Sequence, residues 1–310
     1  SLPHSGLCSA AMPDFVRIHA PAKLNLALSV GPPDASGMHP IASWMVTVNL
    51  FDELHVQRLP PGTLSRYAIL WHADAKRRSD INWSITKDLA VRAHLELERH
   101  AGRSLPVQMK LEKRIPVGGG LGGGSSDAAA MLRAVNELFD LGKSVDELAS
   151  IGATLGSDIP FLVHGGSAVV EGIGERITRH DRLPTLHAVI AFPEAACPTG
   201  PVYEQFDDFG GAQLRVDAVN TLAASHRLDP EAPFNDLAAS ATHLAPSLYD
   251  DLERLAELAQ RPAHVSGSGS SIFVICDDEM HALALADATE RKLNLPAHHV
   301  RAIPASTRTG

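Results

Sequence analysis

The chain is poor in sulfur and in rings, with three cysteines and 5% aromatic residues among 310. Cys8, Cys197 and Cys276 are far apart and odd in number. That leaves neither a disulfide framework nor zinc-ligand spacing, and a reducing, cytoplasmic setting is expected. No apolar run is long enough to span a bilayer. Positive charge is also short: 27 Lys and Arg stand against 36 Asp and Glu, a net charge of −9. This excludes a general nucleic-acid or anionic-membrane binder, though not a local basic pocket for a small anion. Ser1 to Met12 lack the basic start and long apolar core of a signal peptide and read as a frayed extension. The apolar share, 45%, is ample for a core.

No internal repeat and no long low-complexity linker interrupts the chain. "IHAPAKLNLALSV" alternates, with Ala20, Ala22, Leu24, Leu26, Leu28 and Val30 on one face and Lys23, Asn25, Ala27 and Ser29 on the other. The pattern predicts a strand with one buried and one polar face. "IASWMVTVNL" and "DELHVQRL" predict two further strands, Ile85 to His100 a helix, and "LPVQMKLEKRI" a strand. Ser144 and Glu147 form a capping box for a helix ending near Gly156. "SDIPFLVHGG" reads as a loop leading to the strands "SAVVEG" and "GERITR". The second half opens on a buried strand, "HAVIAF". A helix over Ser247 to Gln260 follows, then two short strands around "SGSGSS", a helix over Asp278 to Leu293 and a last strand, "HHVRAIP". Strand, helix, strand, strand, helix, strand is a ferredoxin-like order. The fold class is α+β, in two domains over residues 1–183 and 184–310.

Glycine is what the chain has in excess, and it is concentrated. "RIPVGGGLGGGSSDAAAML", Arg114 to Leu132, holds six glycines in seven residues, directly before an apolar helix expected from Ser126 to Leu141. Glycine in regular structure costs about 0.5–1 kcal/mol relative to alanine. Its use is that bare backbone can approach a ligand and turn successive N–H groups onto an anion. Ser125, Ser126 and Asp127 are good N-cap residues, so the positive end of the helix lies at the end of the loop. A strand, a glycine loop and a helix start make a phosphate cradle. It is not a Walker loop, because no Gly-Lys-Ser/Thr follows. Gly118, Gly120 and Gly123 match the dinucleotide spacing Gly-x-Gly-x-x-Gly, but the acid that fingerprint needs at a strand end falls at Asp140, at the end of a helix.

"PVGGGLGGGSSDAA" resembles the phosphate loop of the GHMP small-molecule kinases. The doubled glycines before Ser-Ser-Asp-Ala-Ala are most similar to the branch acting on 4-diphosphocytidyl-2-C-methyl-D-erythritol. "PAKLNL" at Pro21, "LGSDIPFLVHGGSAVVEGIGE" at Leu155, "PTGPVY" at Pro198, "FNDL" at Phe234 and "SGSGSSIF" at Ser266 agree in order. The resemblance implies a ribosomal-S5-like N-terminal domain, a ferredoxin-like C-terminal domain and an active site between them. It implies transfer of the ATP γ-phosphoryl group to the 2-hydroxyl of the acceptor, with Mg2+, in isoprenoid precursor synthesis. Lys23 and Asp158 match the catalytic lysine and aspartate. Pro116, Gly118, Gly119, Gly120, Leu121, Gly122, Gly123, Gly124, Ser125 and Ser126 would hold the phosphates, with Asp88 near the adenine. Asn25, His39, Asp158, Thr199, Tyr203, Gly267, Ser268 and Gly269 would meet the acceptor. Ser126, or its neighbour Ser125, is the candidate magnesium contact. Two departures stand out: Met38 precedes His39 where relatives carry an aromatic, and Asp88 replaces an asparagine. The partner is a small molecule, with no nucleic acid or membrane, and the chain is a monomer or homodimer. The rival readings are a kinase of the same fold for another alcohol and a catalytically silent nucleotide sensor.

Overall fold

Two long alternating stretches form the hairpin on which the first half is built. They are β1 (Phe15–Val30) and β2 (Ile41–Arg58), paired antiparallel. The computed structural model describes residues 13–225 and 228–305, so the expectation for Ser1 to Met12, with Cys8, lies outside it. In chain order follow β3 (Arg66–Trp71), α1 (Leu89–Ala101), β4 (Val107–Lys113), α2 (Gly123–Leu138), α3 (Val145–Ala153), α4 (Ile159–His164), β5 (Ser167–Gly172) and β6 (Arg176–His180). The second half holds β7 (His187–Ala191), α5 (Thr199–Phe209), α6 (Val216–Ala223), β8 (Phe234–Asn235), α7 (Ala238–Leu244), α8 (Pro246–Ala259), β9 (His264–Val265), β10 (Ile272–Cys276), α9 (Glu279–Leu293) and β11 (Ala297–Arg301). Among the described residues no helix is long and apolar enough to cross a membrane.

The first sheet runs β3-β4-β2-β1-β8. Along its other edge, β2 pairs with β5 through its first half and with β4 through its second. The second sheet runs β11-β7-β10-β9, all antiparallel, as a ferredoxin-like layer requires, with α5 to α8 and β8 inserted in its first crossover. Side chains sort these elements into four layers. One core, with Val56, Met109, Val91 and Met131, lies between the first sheet and α1 to α4. A second, with Leu24, Trp44, Ile190 and Phe273, lies between the two sheets. A third, with Val274, Leu248 and Leu285, lies between the second sheet and the helices on its far side. The division between the halves is not clean: β8 pairs in parallel with β1, and Ile303 donates its amide to the Thr47 carbonyl at 2.9 Å.

The face expected to be polar in β1 is not solvated: every residue from Ala22 to Val30 is buried. The pairing breaks between Pro21 and Lys23, where Ala22 stands opposite Val48 to Leu50. Across that break the strands exchange faces. Val16, Ile18 and Ala20 enter the helix-side core, whereas Ala22 and Leu24 enter the core between the sheets. Lys23 and Asn25 therefore point to the helix side, with Asn25 opposite Met45 of that core. Bulges of this kind re-aim side chains.

Other elements differ from the sequence pattern. β2 is one strand rather than two, because the polar Asn49 and Asp52 fall inside it without ending the pairing. β3 was not signalled. A 3-10 turn, Ile85–Lys87, precedes α1, which Asp88 caps through the amides of Ala90 and Val91. α2 begins at Gly123 with Gly122 as its cap, so Ser125 and Ser126 lie inside its first turns, and it stops at Leu138. α3 has the predicted capping box but ends at Ala153, and Gly156 is not left-handed. "IPFLVH" is helical, with Pro160 in the first turn, where its missing N–H costs nothing.

Beneath the glycine loop lies a buried ion triad. Lys113, at the end of β4, donates to Asp52 on β2 and to Asp127 on α2, both at 2.6 Å. Asp52 also accepts the amides of Arg114 and Ile115, which fixes the turn out of β4 into the loop. Burial alone would lower the Lys113 ammonium, but Asp127 and Asp52 hold it above its ordinary range. Burial pushes the Asp127 carboxyl well up against the pull of Lys113. Removing one member of such a group strands charge in the interior. Lys113→Met is expected to destabilise the fold by about 3–5 kcal/mol, read from the urea midpoint. An unchanged midpoint would mean that the triad contributes nothing to stability.

Candidate active site

The glycine loop is shaped by backbone handedness. Gly118, Gly120 and Gly122 have φ of 71°, 72° and 70°, while Gly119 and Leu121 between them are not left-handed. Alternation of this kind turns consecutive amides toward a common centre. The loop carbonyls are tied outward. Leu121 accepts from the Lys23 amide at 2.9 Å, Gly119 from the Ser271 amide at 3.1 Å and Gly120 from the Ser266 hydroxyl at 3.1 Å. Among the described residues, the amides from Gly120 to Ser125 donate to no protein acceptor. At Gly120 only glycine fits, because a Cβ there would stand 2.0 Å from the Ser266 carbonyl oxygen.

The register break in β1 brings Lys23 to this loop. Its stem lies against Gly122, where a Cβ would be 3.0 Å from the lysine Cγ. The ammonium donates to Asn25 Oδ1 at 2.6 Å, and Asn25 donates in turn to the Ser43 hydroxyl at 2.8 Å. Ser43 donates to the Ala27 carbonyl, which closes the chain and sets which end of the amide faces Lys23. Asp158 comes from the opposite wall, at the N-cap position of α4, where its side chain makes no capping bond. Its Oδ2 lies 3.6 Å from Lys23 Nζ. Lys23 is 4% exposed, so its charge needs these partners.

Lys23, Asn25 and Asp158 line one cavity of about 930 Å³ together with Pro116 and the loop from Gly118 to Gly120 and from Gly122 to Ser125. The second half supplies Thr199, Tyr203, Gly267 and Ser268. Gly267 sits against Lys23, and the "FNDL" asparagine, Asn235, holds its carbonyl at 2.7 Å. Burial, with Asp158 adding to it, pushes the Tyr203 phenol up to about 12, so it stays neutral. Asp88 lines the cavity too, but its oxygens are spent on the α1 amides and on Trp83 Nε1.

Four expected site residues stand elsewhere. Leu121 buries its side chain in the core between the sheets and offers only backbone. Ser126 is 1% exposed and donates to the Pro21 carbonyl at 2.7 Å, leaving Ser125 as the hydroxyl on the cavity. Gly269 packs near Cys197, behind the lining. His39 lies behind Tyr203, ring centres 5.1 Å apart, with Nδ1 at 2.9 Å from the Gly31 carbonyl and Nε2 at 3.3 Å from Asp207. Both ring nitrogens are thus engaged within the protein. The sequence reading missed Arg77, Ser79, Trp83 and Lys87, which line the cavity from the stretch before α1. A lone tryptophan in the polar run "RRSDINWSITKD" was the available signal. It missed Lys113 and Asp127 as well, since only the tertiary fold brings them together.

The chain that builds this cavity is similar to known proteins. Residues 88–166 match the GHMP kinases N terminal domain and residues 222–294 the GHMP kinases C terminal domain. The 4-diphosphocytidyl-2-C-methyl-D-erythritol kinase of Deinococcus radiodurans is 37% identical over 278 residues, 88% of each chain. That of Nocardia farcinica is 34% identical over 284 residues, 89% of this chain and 90% of its own. A crystal structure of 4-(cytidine 5'-diphospho)-2C-methyl-D-erythritol kinase superposes with a TM-score of 0.73 at 32% identity, covering 92% of this chain and 98% of that one. The likeness covers most of the chain, and the chain belongs to the GHMP kinases, in the 4-diphosphocytidyl-2-C-methyl-D-erythritol kinase family.

Proposed function

We propose that this chain transfers the γ-phosphoryl group of ATP to the 2-hydroxyl of 4-diphosphocytidyl-2-C-methyl-D-erythritol, giving the 2-phosphate and ADP, a step of non-mevalonate isoprenoid precursor synthesis. The observation that carries this reading is the meeting of Lys23 and Asp158, 3.6 Å apart, in the cavity floored by free amides. Phosphoryl transfer proceeds through a loose transition state with charge on the peripheral oxygens, so positioning and electrostatics do most of the work. The amides from Gly120 to Ser125 and the N-terminus of α2 hold the phosphates. Lys23, steered by Asn25, offsets charge on the transferred group. A carboxylate is a weak base toward an alcohol. Asp158 therefore chiefly orients the hydroxyl and takes its proton late, passing it on to solvent.

Magnesium fits the donors present. They are hard oxygens, the Ser125 hydroxyl and the Asp158 carboxylate, and the ion ordinarily keeps several waters and takes the rest of its ligands from substrate phosphates. Ser125 would hold it, and its chemistry there is to neutralise charge on the terminal phosphates. Tyr203, backed by His39, offers a ring face for the acceptor's base. Met38, half exposed, stands where the family resemblance implies an aromatic, and this favours testing a second reading, a different small alcohol as acceptor.

ADP release with the cytidyl acceptor, galactose, homoserine and mevalonate separates these readings. Turnover is expected with the first alone. Turnover with another alcohol corrects the acceptor, and ATP binding without any turnover makes the chain a sensor. Asp158→Asn and Lys23→Met are each expected to lower kcat by about 10²–10⁴-fold with little change in the KM for ATP. Near-normal rates would remove those roles. Gly120→Ala drives a methyl group into the Ser266 carbonyl and should instead weaken ATP binding, seen by calorimetry. Unaltered affinity would show that the loop does not carry the phosphates.

A further inference from the structure

The face of the first sheet turned away from α1 and α2 carries a second cluster, independent of the cleft. The register sets His19, Glu53 and Glu112 in one row across β1, β2 and β4, and Arg17, His55 and Lys110 in the next. Alternate residues of a strand share a face. The intervening Leu54, Val56, Met109 and Leu111 fill the helix-side core, so these polar side chains stand together on the far side.

Three donor atoms converge there. His55 Nε2 lies 2.7 Å from Glu53 Oε1 and 3.2 Å from Glu112 Oε2, and all three atoms fall within 4.8 Å of one another. The remaining carboxylate oxygens are already held: Glu53 Oε2 by Arg17 at 2.7 Å and by the His19 imidazole at 3.2 Å, and Glu112 Oε1 by Lys110 at 3.1 Å. One imidazole nitrogen thus faces two anionic oxygens while it can carry at most one proton. A divalent cation satisfies all three atoms at once.

We propose that Glu53 Oε1, His55 Nε2 and Glu112 Oε2 are the protein ligands of a zinc-type divalent metal site, completed by water, that clips β2 to β4. One imidazole and two carboxylates are a donor set for zinc rather than for magnesium or calcium, which favour oxygen alone. Bonds of about 2.0–2.1 Å to a tetrahedral ion put neighbouring ligands roughly 3.3 Å apart. The two carboxylate oxygens lie 2.7 and 3.2 Å from His55 Nε2 and within 4.8 Å of each other, so small side-chain shifts would complete the geometry. Arg17 and Lys110 supply the outer hydrogen bonds that ligating carboxylates ordinarily receive. Burial would raise the Glu53 carboxyl, but Arg17 and His55 outweigh it and bring it down to about 2. The ligands sit on two strands joined by a continuous ladder, and the His55 and Glu112 side chains are 24% and 17% exposed, so an ion can enter. Such a clip would brace the sheet without touching the phosphoryl-transfer residues.

The test uses the full chain, stripped with a chelator and titrated with ZnCl2 by calorimetry in the absence of ATP. One ion per chain is expected, with affinity falling about 100-fold or more in His55→Gln and in Glu112→Gln. A His243→Ala variant, which removes an exposed imidazole on α7 far along the chain from the cluster, should bind as the parent does. Co2+ in place of zinc should give the visible absorption of a four-coordinate ion in the parent and lose it in both ligand variants. ADP release by the stripped protein, with magnesium restored, should be unchanged. No uptake of zinc, or uptake that survives both ligand substitutions, overturns the proposal and leaves the cluster an ion-pair network.

Discussion

The register break between Pro21 and Lys23 is the constraint from which the cleft follows. A strand of unbroken alternation would leave Lys23 and Asn25 on the opposite face from Ala20, toward the second sheet, in a core of Leu24, Trp44 and Phe273. An ammonium there would have no partner, and the cost of burying it would exceed what most domains have in reserve. The break exchanges the faces, sets the lysine against Gly122 and lets the Lys23 amide, freed from the β2 ladder, hold the Leu121 carbonyl. One irregularity therefore positions a side chain and shapes the loop beside it.

The loop itself is organised by what its carbonyls do. Ser266 and Ser271 of the second half and Lys23 of the first draw them outward, so the amides are left without a partner among the described residues. Unpaired amides are costly when buried, and here they line an open cavity instead. Asp52 and Lys113 anchor the loop's entry, and α2 anchors its exit. A reaction that depends on fixed dipoles rather than on covalent help needs a scaffold held from several directions.

Much of this was legible in the residues. Six clustered glycines announced a loop with bare backbone, the Ser144–Glu147 pair announced α3, and the order of elements after His187 announced the ferredoxin-like layer. What was hidden was non-local or cancelled locally. Alternation through "APAKLNL" is uninterrupted as text, and the face exchange appears only when β2 is set beside it. Ser125 and Ser126 both looked like caps, but a left-handed Gly122 starts the helix earlier and turns one hydroxyl onto Pro21 and the other onto the cavity. His39 matched by motif, yet Gly31 and Asp207 already engage its ring. The Lys113 triad joins residues 61 and 14 positions apart, beyond any periodicity.

The short strand β8 has a consequence for how this architecture could have arisen or be taken apart. It lies far along the chain, after the second sheet has begun, yet it completes the edge of the first beside β1. Asp236, next in sequence, accepts the Val30 amide and the Ser29 hydroxyl, each at 2.9 Å. A chain severed in the stretch between His180 and His187 would leave the leading fragment with an unpaired strand edge and stranded donors, the ordinary setting for self-association. The halves are thus not exchangeable modules. Ancestral shuffling or a modern split-protein scheme would have to carry β8 across with the piece that it completes.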